Sequence, residues 1–74
     1  MRRERNIAYI LGLKYGLKDD QVRELIKVIK ENKFERVRLI NSVIEFLRKS
    51  GVKMSEDVGN YVEDLVNRYY PKLT

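Results

Sequence analysis

Residues 34–47, FERVRLINSVIEFL, constrain this chain more than any other stretch. Wound as a helix at about 100° per residue, Phe34, Val37, Ile40, Ile44 and Leu47 fall along one side. Leu39, Val43 and Phe46 widen that side to roughly half the circumference, against the ~100° arc of an ordinary surface helix. A helix so broadly apolar needs cover from more than one neighbour. Its narrow polar face holds Arg38, Asn41, Ser42, Glu45, Arg48 and Lys49. The segment therefore reads as the middle helix of a bundle.

The remaining segments supply partners for it. Ile7, Ile10, Leu11 and Tyr15 lie at helical spacing, with Tyr9 and Leu13 on other sides. That first helix is apolar nearly all round, so it is either well covered or part of it awaits a partner. Gly12 inside it costs about 1 kcal/mol relative to alanine and is best justified by a close neighbour. Gly16 can take positive φ and end the helix. Asp19 is expected to cap a second helix, with Asp20 in its first turn and Val22, Leu25, Ile26 and Ile29 as its stripe.

Neither glycine nor proline separates that helix from the third, so a single helix over 20–49 is an alternative. A break is favoured because Lys33 and Arg36 interrupt the stripe and Asn32 with Glu35 has capping-box spacing. Ser50-Gly51 closes the third helix. Ser55 caps a fourth, whose apolar side is Val58, Tyr61, Val62, Leu65, Val66 and Tyr69. Pro71 marks its stop, and residues 72–74 are expected to fray. The expected architecture is all-α: one compact four-helix bundle with a central third helix, its helices near 4–15, 20–31, 34–49 and 56–70.

Seventy-four residues make one domain with a modest core. Cysteine and histidine are absent, which removes disulfides and the usual zinc ligands. The few hydroxyl residues have no base beside them. Glu56, Asp57, Glu63 and Asp64 read more simply as helix-start charges and a wet face than as a metal or acid–base cluster. No enzyme, catalytic residue, metal or cofactor is expected. The apolar run after MRRERN is broken by Lys14 and falls short of the ~20 residues of a membrane span, so no membrane association and a cytoplasmic location are expected. Charged residues make up 36% of the chain, a bias that fits a thermophile using surface ion-pair networks or simply a helix-rich surface.

The net charge of +5 favours anionic partners such as nucleic acid. Residues 1–18 hold five basic side chains and one acidic, whereas 55–74 hold two basic and four acidic. The acidic end could cover its own basic body or that of a second copy.

Within this frame, residues 8–27, AYILGLKYGLKDDQVRELIK, resemble the helix-turn-helix of bacterial, phage and archaeal DNA-binding proteins. Gly12 stands at the small position four before the turn glycine, Gly16, and apolar Leu17 follows at once. Val22 and Leu25 come six and nine positions after the glycine, and Leu11 and Tyr15 also fall at packing positions. The resemblance implies that the second helix lies in the major groove of double-stranded DNA. Arg23 and Lys27 would be its leading contacts and Lys18 a further one, with Arg2, Arg3 and Arg5 as a flexible arm on the phosphates. It also implies a regulator that reads half-sites as a homodimer. Asp19 and Asp20 depart from the pattern by placing negative charge near phosphate.

The alternative is a protein-interaction or assembly bundle that touches no DNA. Three short helices with a Gly-Leu turn are similar to ubiquitin-associated-type bundles, which bind proteins through such a loop. Of the tyrosines, Tyr70 lies off its helix's main stripe and is the leading candidate for a partner interface. The others read as core-edge residues with the hydroxyl in water.

Overall fold

The computed structural model describes residues 2–70, with side chains from Arg3 onward. The expected stop at Pro71 and the fraying of 72–74 lie outside the described residues. Four α-helices of 14 residues each follow one another: α1 (Arg2–Tyr15), α2 (Asp19–Asn32), α3 (Arg36–Lys49) and α4 (Glu56–Tyr69). There is no strand among the described residues, and no helix there is long and apolar enough to cross a membrane.

Two of the helices end on glycine through the same device. Gly16 has φ +68°, and the N–H of Leu17 reaches back to the Gly12 carbonyl at 2.9 Å. Gly51 has φ +95°, with Val52 N–H on the Leu47 carbonyl at 3.1 Å and Gly51 N–H on Arg48 at 3.2 Å. These are Schellman closures, which satisfy carbonyls that the helix end leaves bare.

The end of α2 works differently. The chain leaves the helix at Lys33, turns through Phe34 and Glu35, and re-enters at Arg36, so 20–49 is two helices. The expected Asn32 cap is not the one used. The Asn32 amide turns back onto the Val28 carbonyl at 2.8 Å, and Glu35 caps α3 by accepting the Arg38 N–H at 2.7 Å. Residue 35 has extended backbone, and its carboxylate also suits the positive end of α3.

A similar one-residue shift occurs at α2's start. Lys18, not Asp19, is the cap residue, which leaves Asp19 and Asp20 in the first turn. Lysine has no acceptor, so only half a capping box forms, with Gln21 Oε1 accepting the Lys18 N–H at 2.8 Å. Ser55 caps α4 as expected, accepting the Val58 N–H at 3.4 Å.

The helices close a ring. Each packs chiefly on its neighbours in the chain, and α1 also meets α4. Core residues come from all four: Ile7, Ala8 and Leu11 from α1, Leu25 and Ile29 from α2, Leu39, Val43 and Leu47 from α3, and Val62 and Val66 from α4. Each larger side chain among them contributes about 1.5–3 kcal/mol on burial. The result is the expected all-α four-helix bundle, in which α3 packs chiefly on α2 and α4. The apolar arc was counted from Phe34, which lies in the turn before the helix and is 75% exposed. Val37, at the helix start, is 52% exposed, so only the later part of the arc needs cover.

One buried charge ties the ring together. Glu4, on α1, has no solvent exposure, and its Oε2 accepts from Lys33 Nζ at 3.1 Å. Burial pushes the Glu4 carboxyl up, but its own backbone N–H and the Lys33 ammonium hold it below its ordinary value. The pair joins the first turn of α1 to the turn between α2 and α3.

Candidate nucleic-acid interface

The crossing of α1 on α2 positions the candidate surface. A Cβ built on Gly12 would stand 2.8 Å from Val22 Cγ2, so the glycine lets the two helices approach closely. Val22 and Leu25 seat α2 from within, both buried. Side chains a turn away from that seam then face water. Arg23 and Lys27 are exposed one turn apart on α2, and Lys18 is exposed at the turn before it. Lys30 continues the row, with Glu24 and Glu31 beside it, also exposed. None of Lys18, Arg23 or Lys27 makes an ion pair among the described residues. Asp19 and Asp20 remain exposed at the same end of the helix, where they oppose the approach of a phosphate.

The expected arm is corrected. Arg3 and Arg5 stand on α1 itself, which is already helical at Arg2; the Arg2 side chain lies outside the described residues. Glu4 in the first turn favours helix there, and its pairing with Lys33 fixes that turn to the body. Helical register then separates the arginines. Arg5 is one turn before Tyr9, which shares a shallow hollow with Asp19, Val22 and Arg23. Arg3 is three turns before Lys14, whose ammonium lies 4.4 Å from the Tyr61 ring centre on α4. Helical phase thus puts Arg5 on the Tyr9 side of α1 and Arg3 on the Lys14 side.

Tyr70 is half-buried at the end of α4 and packs against the core, as Tyr15, Tyr61 and Tyr69 do. Tyr15 and Tyr61 meet edge to face with ring centres 6.3 Å apart. Burial, then the nearby Tyr61 and Asp57, raise the Tyr15 hydroxyl above its ordinary pKa. The exposed apolar side chains lie elsewhere: Leu13 is 89% exposed and Tyr9 53%, on neighbouring turns of α1. The sequence signalled this pair, since both fall off the α1 stripe. It did not signal Phe34 and Val37, which read as part of one.

The acidic residues of α4 do not cover the basic body. Glu56, Asp57, Glu63 and Asp64 are exposed and form no ion pair among the described residues. No group of three or more such side chains there converges closely enough to hold a metal ion. The molecule is therefore electrically divided, with arginines on α1 and carboxylates on α4.

A comparison of the chain with protein-family models, with curated proteins and with solved structures gives no match in any of the three.

Proposed function

We propose that this chain is a small basic helix-turn-helix-like nucleic-acid-binding protein that acts on duplex DNA as a regulator, with α2 as its reading helix. The reading rests on Arg23 and Lys27, which stand exposed one turn apart beyond a glycine-tightened crossing, with no ion pair among the described residues. Arginine can bond a guanine edge through two N–H groups, and lysine suits phosphate. Lys18, exposed at the turn before α2, and Arg5, exposed on α1, add sequence-independent attraction.

The test is titration of a labelled duplex at about 50 mM and about 200 mM salt. Binding is expected to weaken steeply with salt. Changing Arg23 and Lys27 together to alanine is expected to weaken it about tenfold or more and to flatten the salt slope by about 1–2. The second reading is a protein-interaction or assembly bundle, favoured by the water-facing Leu13, Tyr9, Phe34 and Val37. Absence of any duplex retardation at the lower salt decides for it.

A further inference from the structure

An open groove of about 730 Å³ runs between α2 and α3, with Val28, Val37 and Phe46 among its apolar lining. A smaller hollow continues it past Phe46, Lys49 and Ser50 to Gln21 at the start of α2. At the opposite end stands the turn that carries exposed Phe34. Along the α3 rim the polar residues fall in a stripe at helical spacing: Glu35, Arg38, Ser42, Glu45 and Lys49.

The order of charge in that stripe reverses about its middle. Glu35 and Lys49 stand seven residues to either side of Ser42, and Arg38 and Glu45 stand four before and three after it. A two-fold axis beside Ser42 would lay a second α3 antiparallel to the first. Arg38 of each copy then faces Glu45 of the other, and Glu35 faces Lys49. The serine is small enough to let the helix axes approach to about 8–10 Å. The same operation carries Phe34 of each copy to the far end of the other's groove, where the hollow beside Phe46 and Ser50 is open. The antiparallel helix dipoles add to the attraction.

We propose that this face joins two copies of the chain in an isologous dimer, with Phe34 as anchor and the Arg38–Glu45 pairs setting the direction. A single stripe with each charge mirrored by its opposite fits a copy of itself better than a partner of one sign. Glu45 already bonds Arg48 and lies 3.9 Å from Lys49. Those contacts are exposed and contribute little, so the carboxylate is available to a second chain. Arg23 sits with Tyr9 on the α1 side of α2, away from the groove, so the dimer leaves the proposed DNA surface open. The inference stands without the DNA reading, and its test contains no DNA.

The test is sedimentation equilibrium of the whole chain at about 50 mM salt, where surface charge is weakly screened. The wild type is expected to show a concentration-dependent monomer–dimer equilibrium. Arg38→Glu and Glu45→Arg, each helical by circular dichroism, are expected to raise the dissociation constant at least about tenfold. Joining both changes in one chain is expected to restore it. Mixing the two single variants is expected to give a heterodimer, since each then offers the other opposite charge at both contacts. Phe34→Ala is expected to weaken the dimer with the fold intact. A wild type that stays monomeric to about 1 mM overturns the proposal. So do single variants that dimerise as the wild type does, or a double variant that fails to recover.

Discussion

Val22 marks the edge of α2 turned to α1, and Val28 the edge turned to α3. At the first edge a glycine faces the valine, and the helices close on each other until a single added carbon would collide. At the second, Asn32 bends its amide back to its own helix while Asn41 and Ser42 stand across the gap, and an open groove remains. One helix thus has a sealed side and an unsealed side. The difference comes from the residues opposite it more than from its own stripe. A missing side chain closes one seam completely, whereas polar side chains along the other leave a groove open beside helices that still pack on each other.

The sharpest way to break this contrast is to enlarge Gly12. Gly12→Leu is expected to cost about 3 kcal/mol in urea unfolding, since overpacking at a closed seam forces both helices to shift. Val22→Ala in the same chain should recover part of that loss, a coupling that independent sites would not show. Next comes Lys33→Ala, which withdraws a cation from buried Glu4 and is expected to cost about 2 kcal/mol. The pH dependence has a definite sign. The Glu4 carboxyl titrates below its ordinary value in the folded chain, so its contribution is complete above the ordinary carboxylate range. It is lost as pH falls through the lowered folded value. Acid unfolding of Lys33→Ala should therefore show a weaker loss across that window than the wild type.

Gly16→Ala places a Cβ at φ +68° in open space, so strain without collision is expected to cost about 1 kcal/mol. Smallest of all, Ser42→Ala on the unsealed side should change monomer stability by less than about 0.5 kcal/mol. If Ser42→Ala proved as costly as Gly12→Leu, the two sides of α2 would not differ as described.

Much of this was legible from residue types at fixed spacing. Four helices, the two glycine closures, the Ser55 cap and the apolar faces of α2 and α4 follow from local rules that packing had no cause to override. The exposure of Phe34 and Val37 was not legible, because both keep helical phase with residues that are buried. Periodicity records which residues share a side; it does not record where the neighbouring helix stops. The caps slipped by one residue at Lys18 and moved from Asn32 to Glu35, because several polar residues competed for each end. The Glu4–Lys33 pair had no local signal, being a contact between residues far apart in the chain. At the candidate surface, the exposure of Arg23, Lys27 and Lys18 followed from their phase against Val22 and Leu25. The division of Arg3 from Arg5 required knowing which helix lay on which edge of α1.

The ring of chain neighbours also has a kinetic consequence. Most of its helix-to-helix contact can form between segments a short turn apart, so little loop entropy must be spent before packing begins. Folding on the microsecond-to-millisecond scale is expected of such a topology. The seam between α1 and α4 joins segments distant in sequence and is the lightest of the ring's four junctions. It should close last and part first, which makes the carboxylate-bearing α4 the natural leaf to swing when this small molecule breathes.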